Sequence, residues 1–153
     1  MRSVQKFALG AVAFLMSKRR TAIDANVLIA AWSGVPPLFE KALGILADAN
    51  RQLIVSDALW LETMPKALYY AQAEECAFYE GVFARAEYLA WTPMLVDSAK
   101  YLAQTYGMAA MDAIHIAVAL SAGADEFISG EKPGKPMFRV TEVSTISLWS
   151  LCA

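Results

Sequence analysis

The sequence predicts an α/β domain with a mainly parallel central sheet. From Thr21 onward, short β-like runs alternate with longer runs of helical spacing, which is the arrangement that strand–helix–strand units produce. The chain has 153 residues, enough for one domain with one sizeable core. Neither internal repeats nor low-complexity linkers interrupt the alternation. We therefore expect a single domain over residues 19–153.

The first half of the chain is predicted to hold two strands and three helices. We expect strands at residues 21–24 and 52–55, and helices at residues 26–32, residues 38–49 and in the segment after Val55. The run Gly34-Val35-Pro36-Pro37 separates the first two helices. Ser56 or Asp57 can cap the third helix, which carries Glu62, and Pro65 is expected to bend or end it.

The second half is predicted to hold three helices and three strands. We expect helices at residues 74–90, 97–106 and 107–118, a strand at 127–129, a flexible loop at 130–136, and edge strands at 137–140 and 146–151. The aromatic residues of the 74–90 helix recur at helical spacing and are expected in the core. Gly107 divides the last two helices. Four acids are interpreted as cap or turn residues: Asp57, Asp97, Asp125 and Glu126.

Composition constrains the class of protein. Hydrophobic residues make up 58% of the chain and charged residues 18%, which indicates extensive burial or an apolar interface with another subunit. The formal net charge of -2 excludes the strongly basic class of nucleic-acid binders. Contacts with nucleic acid would therefore depend on local lysines and arginines, or on a bound metal.

The N-terminal segment resembles the start of a signal peptide only superficially. Arg2 and Lys6 precede the apolar run at 7–16, but ten residues are too few for a bilayer-spanning helix, which needs about 20. A well-placed cleavage site is lacking as well. We expect residues 1–18 to be an extension outside the domain, with either Met16 as the natural start or residues 1–15 as an appended helix. Secretion is the less favoured alternative. Mass spectrometry of the native product would decide between them.

The two cysteines do not form a metal-binding motif. Cys76 and Cys152 lie far apart in the sequence. Cysteines without such spacing, and without a convincing secretory signal, are typical of free thiols in a reducing compartment. The prediction is a cytoplasmic protein without a membrane-spanning segment.

Asp112 is the most informative residue for function. It lies near the start of an almost wholly apolar helical run, residues 107–118. Burying an isolated charge costs several kcal/mol or more, so we expect a cation or a hydrogen-bond donor beside it. Asp24, Glu62 and Glu131 occupy similar settings, which suggests that the partner is a divalent metal.

The positions of these acids predict a common site. Asp24 ends the first predicted strand, Glu62 lies on the helix after the second, and Glu131 follows a later strand. If those strands are parallel, the acids meet at the edge of the sheet where ligands bind in open α/β sheets. Asp112, whose anionic form a helix N-terminus favours, can point toward the same edge. Clustered carboxylates repel one another, which raises at least one pKa and makes the cluster stable mainly with cations bound.

An all-oxygen ligand set favours Mg²⁺ or Mn²⁺ over Zn²⁺, because these hard cations prefer carboxylate and water ligands. Such ions retain waters and bind phosphate oxygens. A metal-bound hydroxide can attack phosphorus in line while the metal stabilises the developing charge, with one metal or with two. The predicted chemistry is metal-assisted attack of water at phosphorus.

Four segments carry a family resemblance that covers about residues 20–140. They are Ile23-Asp24-Ala25-Asn26-Val27-Leu28, Ile54-Val55-Ser56 with Glu62 six positions on, Met111-Asp112-Ala113-Ile114-His115-Ile116-Ala117, and Gly123-Ala124-Asp125-Glu126-Phe127-Ile128-Ser129 with Glu131. In order and spacing they resemble the motifs of PIN-domain proteins, in particular the small VapC-type toxins of toxin–antitoxin pairs. The resemblance implies an α/β/α sandwich and a metal-dependent endoribonuclease, usually dimeric and held inactive by a cognate antitoxin.

The resemblance also assigns roles to individual residues. The positions that match the three family acids most directly are Asp24, Glu62 and Asp112. Glu131 departs from the pattern, because the family usually has Asp after the Ser or Thr that ends the fourth strand; a glutamate can still bind metal with one more methylene of reach. The positions expected to orient the acids or a metal-bound water are Asn26 and Ser129.

Each candidate also has a simpler structural interpretation. Asp24 can be a helix cap, Glu62 a residue on a helix face, and Glu131 part of an ordinary surface loop in Gly-Glu-Lys-Pro-Gly. His115, three residues after Asp112, can be a general base, but we favour a core histidine with a satisfied hydrogen bond. Three basic residues of the following segment either contact RNA phosphates or only solvate it: Lys132, Lys135 and Arg139.

Three functions follow from these features. The leading hypothesis is cleavage of RNA by a metal-activated water, with an antitoxin polypeptide and a second copy of the chain as partners. The alternative is a catalytically weak module that binds RNA or protein, in which the Glu131 departure reflects lost catalysis. A phosphatase with Asp24 as nucleophile is the least favoured, because it would need a second acid where this chain has Asn26.

Overall fold

The computed structural model describes residues 17–152, which form a five-stranded sheet in which every pair of neighbouring strands is parallel. The strands are β1 (Arg19–Ile23), β2 (Arg51–Ser56), β3 (Glu87–Leu89), β4 (Glu126–Ser129) and β5 (Ser144–Ser147), in the spatial order β3-β2-β1-β4-β5. The predictions for the start codon and for residues 1–16 lie outside the described residues.

Six α-helices connect the strands within residues 17–152. They are α1 (Ala25–Ser33), α2 (Leu38–Ala47), α3 (Asp57–Tyr69), α4 (Ala73–Arg85), α5 (Pro93–Tyr106) and α6 (Ala110–Ser121), followed by short 3-10 helices at Pro136–Arg139 and Leu148–Leu151. None of these helices combines the length and the apolar character that crossing a bilayer requires. Gly34 and Gly107 end α1 and α5 in the left-handed conformation that glycine adopts without strain.

The two faces of the sheet bury separate cores, because successive side chains of a strand point to opposite faces. Ile23, Val55 and Ile128 pack with helices α1 to α4 on one face. Ala22, Ile54 and Phe127, each one position earlier in its strand, pack with α5 and α6 on the other. The predicted three-layer α/β/α sandwich is confirmed.

Three element predictions were wrong. The predicted helix 74–90 ends at Arg85, and Glu87–Leu89 forms edge strand β3 by pairing with β2. Residues 137–140 are not a strand, since Pro136–Arg139 is a 3-10 helix. The last strand is Ser144–Ser147 rather than 146–151, and the chain then turns into the 3-10 helix Leu148–Leu151.

Two helix predictions were also wrong in detail. Thr92, not Asp97, caps α5: its side chain accepts a hydrogen bond from the Leu95 amide, and Pro93 begins the helix. Of the two outcomes predicted for Pro65, an end of the helix is wrong, because α3 continues to Tyr69. Met64 and Ala67 are buried on either side of it, and this packing offsets the hydrogen bond that the proline removes. Ser56 caps α3, as one of the two predicted alternatives had it.

Glu126 is not a turn residue but a buried ion-pair centre in β4, with only 1% of its surface exposed. Its carboxylate accepts a hydrogen bond from the Thr21 hydroxyl at 2.9 Å and pairs with Arg51 Nε at 3.1 Å and Arg19 Nε at 2.8 Å. These partners belong to β1 and β2. The cluster therefore joins three strands at the amino-terminal edge of the sheet, away from the predicted site.

Replacing Glu126 by Ala is expected to lower the free energy of unfolding by about 2–4 kcal/mol, because it leaves two arginines and a buried hydroxyl without their acceptor. Urea denaturation measures the loss. Glu80→Ala, on the exposed face of α4, is the matched control and is expected to change stability by less than about 0.5 kcal/mol. Equal stability of the two variants would show that the cluster contributes nothing.

Candidate active site

The candidate site lies where the strand order reverses. From β1 the chain adds β2 and β3 on one side of the sheet, whereas β4 and β5 occupy the other side. In open parallel sheets, the crevice outside the carboxyl ends of the strands at such a point is the usual ligand site. Asp24 directly follows β1 and Ser129 ends the neighbouring strand β4.

Asp24 is both a helix cap and a member of this crevice. Its Oδ1 accepts hydrogen bonds from the amides of Val27 and Gly130, each at 3.3 Å, and its Oδ2 accepts one from the Ser129 hydroxyl. Only 5% of the residue is exposed. Burial raises the pKa of Asp24, although the hydrogen bond from Ser129, the charge of His115 and the two amides each oppose that rise.

Glu131 is held at the same edge by three parts of the fold. Its amide donates to the Ser129 hydroxyl at 3.0 Å, and its Oε1 accepts from Asn26 Nδ2 at 3.0 Å. Its main-chain carbonyl accepts from the hydroxyl of Ser147, at the end of β5. The Gly-Glu-Lys-Pro-Gly segment thus begins as a fixed part of the site, and Asn26 and Ser129 each hold one acid by a hydrogen bond.

Gly130 allows the chain after β4 to approach the first turn of α1 closely. A Cβ at this position would lie 2.6 Å from the Cβ of Asn26 and 3.0 Å from its main-chain carbon. Real Cβ contacts are essentially never that short. Only glycine therefore allows β4 to pass the first turn of α1 at this distance, so that Asn26 reaches Glu131 and the Gly130 amide reaches Asp24.

Glu62 enters the site through His115. His115 is buried in α6, and its Nε2 forms a hydrogen bond with Glu62 Oε1 on α3. The prediction of a buried histidine with a satisfied hydrogen bond is confirmed. Its partner is a candidate site acid, however, so His115 positions Glu62 as well as filling the core.

Asp112 lies in the first turn of α6 and is half-buried. Burial raises its pKa, and the negative charges of Glu131 and, more weakly, Glu62 raise it further, while His115 and Lys135 lower it. The helix N-terminus was expected to favour the anion, but burial and the neighbouring acids outweigh it. Among residues 17–152, neither an ion pair nor a side-chain hydrogen bond holds this carboxylate.

The donor chemistry of the site fits a hard divalent cation, since its acids offer carboxylate oxygens and the negative charges of Glu131 and Glu62 raise the pKa of Asp112. The side chains that the structure describes do not form a complete metal-binding site. Within the described chain, no three acidic, cysteine or histidine side chains stand close enough together to hold a metal ion. One oxygen of Glu62 bonds to His115 and one oxygen of Glu131 bonds to Asn26. A bound ion would require the acids to move closer together.

The predicted basic residues do not share one location. Lys132 and Lys135 border a groove beside the site, and Lys135 Nζ lies 3.9 Å from Glu131 Oε2. Arg139 is exposed on the 3-10 helix and is not part of the groove wall. The segment that carries the lysines is attached to the fold by Trp149, whose indole Nε1 donates to the Gly130 carbonyl at 3.1 Å.

Sequence reasoning missed three contributors to this site: Gly130, Ser147 and Trp149. Gly130 carried a weak signal, as a glycine that directly follows a buried strand and precedes a candidate acid. Ser147 and Trp149 gave no usable signal, because the segment that contains them was interpreted as a strand. Their partners are main-chain carbonyl groups 16 and 19 residues away in the chain.

Solved structures with a similar fold include two toxin–antitoxin complexes. VapBC2 from Rickettsia felis, bound to a DNA fragment from its promoter, contains a chain with a TM-score of 0.63 and 14% identity, covering 82% of this chain and 96% of that one. A chain of a toxin–antitoxin complex from Klebsiella pneumoniae has a TM-score of 0.60 and 21% identity, covering 81% of this chain and 98% of that one. A protein from Pyrobaculum aerophilum has a TM-score of 0.56 and 15% identity, covering 88% of this chain and 95% of that one. At these identities the likeness concerns the fold.

A search of curated proteins found no match. The model of one protein family, described as the PIN domain, matches residues 21–132. That range begins in β1, ends just after Glu131 and includes all four candidate acids. The match covers well over half of the chain and agrees with the parallel sheet and with the site at its switch point. The chain therefore belongs to the PIN-domain family.

Proposed function

We propose that this protein is a divalent-metal-dependent endoribonuclease and the toxin of a toxin–antitoxin pair. PIN domains are generally nucleases, which supports the reaction class. The observation that carries the proposal is the raised pKa of Asp112, caused by burial and by the negative charges of Glu131 and Glu62. Acids that destabilise one another in this way favour a bound cation.

The proposed roles follow from the contacts of each residue. Asp24, Asp112, Glu62 and Glu131 would hold Mg²⁺ or Mn²⁺, which when bound supplies an activated water and neutralises charge on the phosphate. Ser129 fixes one oxygen of Asp24, and the amides of Val27 and Gly130 fix the other. Asn26 and His115 keep Glu131 and Glu62 near the crevice. The lysines beside Glu131 would attract the phosphates of RNA.

The proposal includes two protein partners and a cytoplasmic setting. The similar chains from Rickettsia felis and Klebsiella pneumoniae occur in toxin–antitoxin complexes, which supports a small antitoxin as one partner. A second copy of the chain is the other. Large apolar side chains exposed at helical spacing on α3, Leu61, Leu68 and Tyr69, support such an interface.

Purified full-length chain is expected to cleave single-stranded RNA when Mg²⁺ or Mn²⁺ is present and to stop when a chelator is added. Gel analysis of end-labelled RNA measures this directly. Restoring metal after chelation should restore cleavage. Cleavage that continues in chelator would contradict the metal requirement, and RNA left intact under every metal would contradict the nuclease assignment.

A non-catalytic RNA-binding or protein-interaction module is the second candidate. The observation in its favour is that, within residues 17–152, no three potential ligands already stand at metal-binding distances. Metal titration separates the two functions. A chain that binds RNA equally well without metal and never cleaves it fits only this second function.

Replacing His115 by Leu is expected to slow cleavage by about 10- to 100-fold, because Glu62 loses the group that orients it. His115→Gln is expected to recover part of the rate, since the glutamine amide can donate from nearly the same place. The informative readout is the Mn²⁺ concentration at half-maximal rate, which should rise for the Leu variant and less for the Gln variant. Equal metal dependence of both variants and the wild type would leave His115 with a packing role only.

A further inference from the structure

A groove of about 470 Å³ opens directly beside the candidate site. Asn26 and Glu131 line its inner end, so the groove and the acids share a wall. The turn between α1 and α2 forms one apolar side with Val35, Pro36 and Leu38. Its volume is in the range of about 300–1,000 Å³ typical of pockets for small organic groups.

The groove is also lined by an aromatic ring, that of Trp149, which the fold holds in place. The Trp149 indole Nε1 donates to the Gly130 carbonyl at 3.1 Å, and the main-chain amide of Trp149 donates to the Ser147 hydroxyl at 3.3 Å. About 37% of the residue remains exposed. A ring fixed by such bonds loses little conformational freedom when a ligand stacks on it.

Positive charge lies along the same groove. Lys132 Nζ lies over the Trp149 ring, 5.7 Å from its centre, and Lys135 lines the groove next to Glu131. A fixed indole, an apolar wall and two ammonium groups together match a nucleotide, which offers a flat base to stack and a phosphate to neutralise.

We propose that this groove is a subsite for one unpaired nucleotide of the RNA substrate, next to the phosphate that is cleaved. The base takes the place of Lys132 over the Trp149 ring and packs against the apolar side chains of the α1–α2 turn, and the displaced Lys132 and Lys135 contact the flanking phosphates. This inference rests on the proposed function for the identity of the polymer. Because a base inside a duplex cannot enter the groove, the subsite selects single-stranded RNA.

The test is fluorescence anisotropy with a short, end-labelled single-stranded RNA and the full-length chain, in the Asp112→Asn background with Mg²⁺ so that the RNA stays intact. Adding Trp149→Ala is expected to weaken binding about tenfold, the usual effect of losing one stacked base. Trp149→Phe keeps a stacking ring and is expected to bind within about threefold of the parent. Duplex RNA of the same length is expected to bind all three proteins alike.

Trp91→Ala is the matched control. Trp91 is also 37% exposed, but it follows β3, at the other end of the sheet from β5. Its replacement is expected to leave RNA affinity unchanged. An RNA in which one nucleotide lacks its base provides a second control. At the position that occupies the groove, removing the base should weaken binding to the parent and have no added effect on Trp149→Ala.

The lysines are tested separately. Replacing Lys132 and Lys135 by Gln is expected to weaken single-stranded and duplex RNA alike and to reduce the dependence of affinity on salt, because phosphate contacts carry no information on base or strand. The subsite is supported if Trp149→Ala weakens the binding of single-stranded RNA alone, while the lysine replacements weaken the binding of single-stranded and duplex RNA alike.

The outcomes that overturn the subsite differ from those that overturn the proposed function. If the wild type cleaves RNA and Trp149→Ala binds it as tightly as the parent, the subsite is wrong and the nuclease stands. If Trp149→Ala instead loses only a co-expressed polypeptide from the neighbouring reading frame, the groove is a protein-docking surface and the subsite is again wrong. If no metal supports cleavage but Trp149→Ala binds single-stranded RNA more weakly than Trp149→Phe does, the nuclease assignment is wrong and the subsite stands.

Discussion

Replacing Asp112 by Asn is expected to reduce RNA cleavage by more than about 100-fold while the domain stays folded. Asparagine keeps the shape of the side chain but removes the negative charge that a divalent cation requires. Single-turnover cleavage at saturating Mn²⁺ measures the loss. Asp97→Asn, an identical change at an exposed position of α5, is the matched control and is expected to cleave at the wild-type rate.

The same variant should be more stable than the wild type when metal is absent. The pKa of Asp112 is raised in the folded protein, so the folded state binds a proton more readily than the unfolded state. Stability is therefore lost as pH rises from the ordinary carboxyl pKa, about 4, through the raised value. The stabilisation by Asp112→Asn should be largest at neutral pH and disappear below pH of about 4 in thermal denaturation with chelator.

Two results would contradict this account of Asp112. Wild-type cleavage by Asp112→Asn would remove the residue from the site. A variant less stable than the wild type at neutral pH would show that the carboxylate is stabilised by its surroundings rather than strained by them.

Replacing Gly130 by Ala is expected to lower both the stability of the domain and the rate of cleavage. The new methyl group would lie 2.6 Å from the Cβ of Asn26 and 3.0 Å from its main-chain carbon, so α1 and β4 must separate. We expect the free energy of unfolding to fall by about 1–3 kcal/mol, the usual cost of overpacking. Because both Asp24 and Glu131 are held across this contact, cleavage should fall by more than about tenfold.

Gly134→Ala is the matched control for this change. Gly134 belongs to the same Gly-Glu-Lys-Pro-Gly segment, and an added Cβ would meet no atom within 4 Å. Urea denaturation and the cleavage assay should therefore give values near those of the wild type. Equal behaviour of the two alanine variants would show that the approach of Gly130 to Asn26 does not matter.

The sequence was sufficient to predict the sheet class and the positions of the acids, because both depend on local patterns. Asp24 follows a short apolar run that matches a buried strand, and the structure has it directly after β1. Glu131 follows a second such run, and β4 ends two residues before it. Once strands are parallel, their carboxyl ends share an edge. This reasoning does not require any knowledge of tertiary contacts.

The elements that were mispredicted depend on distant partners. Tyr88 and Leu89 continue the apolar spacing of the preceding helix, so only their pairing with Val55 and Ser56 of β2 makes them a strand. Ser147 is fixed by the Glu131 carbonyl, and Glu126 by two arginines of other strands. No local pattern distinguishes such residues from turn or surface positions.

The electrostatic balance of the site could be predicted only in part. Mutual repulsion among the acids was expected to raise at least one pKa, and the pKa of Asp112 is raised by Glu131 and Glu62. The extent of burial of each acid could not be predicted from the sequence. Burial is the largest cause of the raised pKa of both Asp24 and Asp112. The hydrogen bonds that His115 and Asn26 form with Glu62 and Glu131 were likewise not predictable.

Anomalous diffraction from crystals grown with Mn²⁺ would locate the metal. We expect an anomalous peak at the carboxyl ends of β1 and β4, bound by Asp24 and Asp112, with Glu62 or Glu131 closer to the ion than either now lies to Asp112. The Asp112→Asn protein, grown with the same Mn²⁺, should lack this peak. A peak elsewhere, or an empty crevice in a protein that still cleaves RNA with Mn²⁺, would contradict the account.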